Sequence, residues 1–129
     1  MPGIAAGRDF DVVHVRYNAA HPGAEQDIFP YLPGENRPGL VAFTATSWGQ
    51  LVGQPAFLPR GRPIPAGERV PTGTDCYRFV LSRPELDVCL SGPANAAQMD
   101  QALDALRLGP LSGDELAWMR RVGMAISGK

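Results

Sequence analysis

The stretch from residue 76 to residue 101 constrains the fold more than any other part of this chain. CYRFVLSRP is an apolar-rich helical run broken at Pro84, LDVCL (residues 86–90) is a short buried strand, and SGPANAAQMDQAL turns through Gly92 into a new helix. Helix, strand, glycine turn and helix in that order belong to a parallel sheet, because parallel strands need helical crossovers. A strand that feeds a glycine turn and then a helix N-terminus is also suited to an anion. Backbone N–H groups and the positive end of the helix dipole both favour phosphate there.

The rest of the chain repeats this alternation. DVVHVRY (11–17) is β-branched and alternating enough for a strand. AEQDIFPYL (24–32) predicts a short helix closed at Pro30. LVAFTA (40–45) is a near-continuous apolar run, the pattern of a parallel strand covered on both faces. Residues 54–73 are rich in proline and glycine and carry no period, so they predict a long irregular loop, stiffened by LPRGRPIP. Thr74 stands where it can cap the helix running to Leu81, while Asn95 with Gln98, and Ser112 with Glu115, have capping-box spacing. Met99, Ala102, Leu103 and Leu106 form one apolar helical face, and Leu116, Met119, Gly123 and Ile126 another.

The sum is β-α-β-loop-α-β-α-α, an α/β fold with parallel strands and right-handed crossovers. About three such strands make a poor independent sheet, with unpaired edges and faces that need more covering than this chain supplies. A complete (β/α)8 barrel takes about 250 residues. The expected fold is therefore a partial (β/α)8 TIM barrel, about three parallel strands with flanking helices, in a single domain over residues 1–129.

Composition excludes some classes of function. A net charge of −1, with eleven arginines that form no continuous run, gives no electrostatic reason to expect nucleic acid. No apolar stretch reaches the length of a membrane span, and MPGIAAGRDF lacks the regions of a signal peptide, so a cytoplasmic protein is expected. Cys76 and Cys89 lack CxxC spacing and read as two buried free thiols. His14 and His21 have no third ligand in a recognisable pattern, so no metal is expected. The single lysine is Lys129, the last residue. Such a chain is equipped to hold a cofactor and poorly equipped for chemistry.

Three blocks, VVHVRYN (12–18), VAFTATSWGQLVG (41–53) and RFVLSRPELDVCLSGPANAAQ (78–98), together resemble the C-terminal part of the aldo/keto reductases, in the order and spacing of their sixth, seventh and eighth strand regions. The resemblance covers nearly the whole chain and is closest to the bacterial members. It implies NADP(H) lying extended across the C-terminal ends of the strands. His14 then stands at the place of an amide that holds the nicotinamide carboxamide, and Phe43 at that of a tyrosine stacking on the nicotinamide ring. Thr44 takes the place of a serine near the pyrophosphate. Gly49, Leu51 and Gly53 match the glycine-rich turn that follows. Gly92 and Asn95 match the last turn, and Gln98 a residue reaching the adenosine end. Ala94 stands where the family often has an arginine on the 2′-phosphate, and Ala102 where an asparagine often contacts adenine, which leaves NAD(H) open as the cofactor.

Each of these residues also has a purely structural reading. Phe43 can be core, His14 can bond a nearby backbone group, the glycines can serve turns of positive φ, and Asn95 with Gln98 can be a helix cap. The family's catalytic tetrad of aspartate, tyrosine, lysine and histidine lies on the early barrel strands, and Tyr17, Tyr31, Tyr77 and Lys129 do not match it. The resemblance thus implies the C-terminal fragment of an NAD(P)(H)-dependent carbonyl or alcohol oxidoreductase, carrying cofactor-binding elements and inactive alone. The alternative is a non-enzymatic half-barrel that self-associates or pairs with a separate N-terminal half.

Overall fold

The computed structural model describes residues 10–54 and 62–128. They form a mixed α/β unit around a three-stranded parallel sheet, β1 (Val12–Arg16), β2 (Gly39–Phe43) and β3 (Val88–Cys89), in spatial order β1-β2-β3. His14 pairs with Val41 and Arg16 with Phe43 across the first ladder, and Val41 pairs with Val88 across the second. The strands are shorter than the apolar runs that predict them. β2 stops at Phe43 because Thr44 turns to φ 59°, and β3 keeps only the middle of LDVCL.

Four helices complete the unit: α1 (Ala24–Asp27), α2 (Gly73–Leu81), α3 (Ala96–Leu108) and α4 (Gly113–Ser127). The helix expected over 24–32 is split. Only its first turn is α-helical, and Phe29–Tyr31 with Pro30 forms a separate 3-10 turn. α2 begins earlier than its expected cap at Thr74. Thr72 is the cap, bonded reciprocally to Asp75, and the Thr74 hydroxyl instead donates to the Gln101 carbonyl of α3 at 2.8 Å. The box of Ser112 and Glu115 opens α4 as expected. Residues 55–61 of the expected long loop, and Lys129, lie outside the described residues.

The sheet has one covered face, a correction to the two expected for LVAFTA. Val13, Val15, Leu40 and Ala42 alternate inward and are buried with Phe79 and Val80 of α2 and Met119, Val122 and Ile126 of α4. On the other face Val12, His14, Arg16 and Val88 are exposed, while Val41 and Phe43 are half-buried. At the centre of the core the Tyr17 ring stacks on Phe79 with centroids 5.7 Å apart and meets Phe29 edge-on at 5.3 Å.

The expected stripe on α4 is largely inside, with Met119, Gly123 and Ile126 buried and Leu116 packed at the margin. Gly123 is required by a close approach: a Cβ there would meet the Ala19 carbonyl and lie 2.9 Å from Ala20 N. The apolar face expected on α3 is not core. Met99, Leu103 and Leu106 are 45%, 56% and 71% exposed, and only Ala105 of this helix is buried. α3 docks its other side on α2, which leaves the apolar face to solvent.

Candidate functional site

The segment after β2 carries most of the unusual backbone. Thr44, Ser47 and Trp48 are non-glycine residues with φ of 59°, 52° and 55°, and Gly49 and Gly53 follow at 84° and 74°. Left-handed backbone costs a non-glycine residue roughly 1–2 kcal/mol, so this turn is strained. Local hydrogen bonds over-determine it. Leu51 N donates to Thr46 O, Gln54 N to Gly49 O and Gly49 N to the Thr46 hydroxyl.

The turn is also gripped from β1. The Asn18 side chain, fully buried, accepts from Ala20 N and His21 N at 2.9 Å each and donates to Thr44 O at 2.8 Å. One amide thereby joins the ends of two neighbouring strands. Because Gly123 of α4 packs on the same Ala19–Ala20 backbone, the last helix fixes the segment that fixes the turn.

A cavity of about 500 Å³ opens where this turn faces the helix starts. Thr46, Trp48, Gly49, Val52 and Gln54 form one side, and Pro71, Thr72, Gly73 and Tyr77 of α2 the other. Gly92, after β3, and Gln98 and Gln101 on α3 complete it. The lining contains two aromatic rings and three glutamines. None of the described lining residues is charged. Tyr77 Oη accepts from the Ser91 hydroxyl at 2.9 Å, and Gln98 Oε1 accepts from Ala94 N at 2.7 Å. The side-chain amides of Gln54 and Gln101 have no hydrogen-bond partner among the described residues.

The structure distributes the expected site residues unevenly. Gly49 from one block of sequence, and Gly92 and Gln98 from another, share the cavity. His14 and Phe43 lie on the open face of the sheet, with Arg16 as Phe43's register partner. Thr44 heads the strained turn, and its hydroxyl donates to the Phe43 carbonyl at 2.7 Å. Leu51 is fully buried in the core and does not line the cavity. Asn95 caps α3 by accepting from Gln98 N, while Gln98 reaches back to Ala94 rather than to Asn95, so the expected box is not reciprocal. Positive φ accounts for Gly49 and Gly53. It does not account for Gly92, which lies outside the left-handed region with nothing within 4 Å of a Cβ position.

Trp48, Tyr77, Gln54, Gln101, Asn18 and Arg16 were outside the expected set. Asn18 had a readable signal, since asparagine at a strand end favours a turn through bonds to backbone just downstream. The strained Trp48 had none.

The titratable groups elsewhere are structural. Burial, with the hydrogen bond to Glu25, pushes the Tyr17 phenol well above its ordinary range, so it stays protonated. Burial opposes charge on Glu25, but hydrogen bonds from Arg120 and Tyr17 outweigh it and hold the carboxyl below its usual value. Burial pushes the Cys89 thiol up to about 12 and Cys76 further, which leaves both unreactive. Cys76 is buried as expected, Cys89 only partly. Among the described residues no cluster of His, Cys, Asp and Glu is arranged to hold a metal, and no helix is long and apolar enough to cross a membrane.

No protein-family model matches the chain, and no curated protein matches it.

Proposed function

We propose that the chain is the cofactor-holding C-terminal part of an aldo/keto reductase-type (β/α)8 barrel, a binder of NAD(P)(H) that does not reduce carbonyls by itself. The observation that carries this reading is the shared cavity. Gly49 from the second sequence block, and Gly92 and Gln98 from the third, line one cavity at the C-terminal ends of parallel strands. Ligands of α/β folds bind at those ends.

The winding supports the same reading. Strand order follows chain order, and the packed helices share one face of the sheet, as in a singly wound barrel. A doubly wound sheet would reverse its strand order and cover both faces. The open face, with His14 and Phe43, then corresponds to the barrel interior, where a nicotinamide ring would meet Phe43.

On this reading Ala94 and the absence of charge among the described lining residues give a 2′-phosphate little to bind, so NADP(H) holds no large advantage over NAD(H). The test is to follow nicotinamide fluorescence as protein is added to NADH and to NADPH, with and without an aldehyde. Saturable binding without aldehyde-dependent oxidation is expected. Oxidation that co-purifies with the protein contradicts the inactive half, and no binding contradicts the whole.

A second reading, a non-enzymatic half-barrel that pairs with a copy of itself or with a separate N-terminal half, is favoured by one observation. An apolar groove of about 340 Å³ runs between α2, β3 and α3, with Met99, Leu103 and Leu106 exposed along it and the outer edge of β3 unpaired. Sedimentation decides it, since a folded monomer with no tendency to associate argues against self-pairing.

A further inference from the structure

The strained turn after β2 ends in an unusual presentation of one side chain. Trp48 has a left-handed backbone, φ 55°, yet it is 50% exposed and lines the cavity. A buried tryptophan would offset backbone strain through its packing, but this ring leaves half its surface to water. Strain of this kind persists where surrounding structure over-determines it, and it gathers at ligand clamps. The same cavity is lined by Tyr77, whose hydroxyl is tied to Ser91 at 2.9 Å. Gln54 and Gln101 line it too, and their side-chain amides have no hydrogen-bond partner among the described residues. Aromatic faces call for a flat, π-rich ring. Side-chain amides call for a ring edge that alternates donor and acceptor, which is how glutamine reads adenine.

We propose that Trp48 is a stacking platform for the adenine ring of the bound dinucleotide, with Tyr77 as the facing wall and Gln54 and Gln101 reading the ring edge. This rests on the nicotinamide dinucleotide reading above and adds to it a residue and a subsite. The strained turn holds the indole in place before ligand arrives, so little side-chain ordering remains to oppose binding.

The test uses the full chain and three ligands, NADH, AMP and nicotinamide mononucleotide, titrated by calorimetry into wild type, Trp48→Phe, Trp48→Ala and Trp48→Gly. Stacking on an aromatic side chain predicts that Trp48→Ala weakens AMP and NADH about ten- to hundredfold. Trp48→Phe should retain most of the affinity, and nicotinamide mononucleotide should be unaffected in every variant. Trp48→Gly guards against a folding defect, because glycine is at ease at this φ. Its melting curve should stay cooperative while AMP binding is lost. Equal AMP affinity in wild type and Trp48→Gly overturns the stacking role and leaves the dinucleotide reading standing if NADH still binds. NADH binding without AMP binding likewise overturns the adenine subsite alone. Failure of wild type to bind NADH and AMP alike overturns both.

Discussion

Gly123 is where the account is most exposed to a single substitution. Replacing it with alanine puts a methyl against the Ala19 carbonyl and 2.9 Å from Ala20 N, and both neighbours are backbone rather than a flexible side chain. α4 must therefore lift from the segment after β1. Overpacking of this kind costs about 3 kcal/mol where neither side can yield, and the gain in helix propensity from glycine to alanine returns about 1 kcal/mol. The net loss is about 2 kcal/mol, which for a chain of this size lowers Tm by about 6–10 °C. Because Asn18 adjoins the displaced backbone, its grip on Thr44 O should slacken and nucleotide affinity should fall as well. Thermal unfolding followed by circular dichroism is the assay, with Gly113→Ala as the control. Gly113 opens the same helix with nothing within 4 Å of its Cβ position, so that variant should melt at or slightly above wild type. A Gly123→Ala protein that melts within a degree or so of wild type would refute the packing argument.

Three other outcomes can be checked with the same material. Asn18→Ala removes three side-chain hydrogen bonds and leaves the Ala20 N–H without its acceptor, which should cost about 2 kcal/mol by urea unfolding. A loss under 1 kcal/mol would mean the two loops are not joined through this amide. Glu25 has a folded-state value below its ordinary one, so the stability it contributes is present above the unfolded carboxylate value, about 4.3, and fades as pH falls through the folded value. Glu25→Gln should cost about 2 kcal/mol at neutral pH and flatten the acid arm of a stability–pH profile, leaving the part due to Asp87 and Glu115, whose carboxyls are also held low. An unchanged acid arm contradicts the Tyr17–Glu25–Arg120 cluster. Competition between the two cofactors should give NADH and NADPH affinities within about tenfold, since no described residue of the cavity offers the 2′-phosphate a charge-assisted bond, and a preference for NADPH of about a hundredfold or more would refute this.

The strands were legible because their patterns are dense. VVHVR interleaves polar residues with β-branched ones and LVAF is a continuous apolar run, and the register alternates buried with more exposed positions across the ladder. The caps of α3 and α4 were legible from spacing. The cap of α2 was missed because Asp75 closes its box, where glutamate or glutamine is the usual partner. The apolar face of α3 was legible as a face, and its exposure was not. Periodicity tells which residues lie together, but not whether anything covers them, and Met99, Leu103 and Leu106 are uncovered. The same limit applies to LVAFTA, whose run of apolar residues hides a sheet with one open side.

At the site, the family resemblance nominated Gly49, Gly92 and Gln98, and these meet at one cavity. Residue type could not nominate Trp48, because neither serine nor tryptophan favours the left-handed backbone of Ser47 and Trp48. That turn exists because tertiary bonds hold it. Nor could spacing bring Tyr77 and Gln101 to the cavity, since the contact of α2 with α3, secured by Thr74 on the Gln101 carbonyl, is a product of the fold.

The central claim is that a nicotinamide dinucleotide occupies the cavity between the turn after β2 and the starts of α2 and α3. Amide and indole NMR shifts recorded during an NADH titration test it most directly, because a chain of 13.8 kDa gives resolved signals residue by residue. The account predicts saturable shifts at Gly49, Gly92, Gln98 and the Trp48 indole, with Trp118 unmoved. A spectrum that does not change at millimolar NADH, or one that changes mainly along α4, would contradict it.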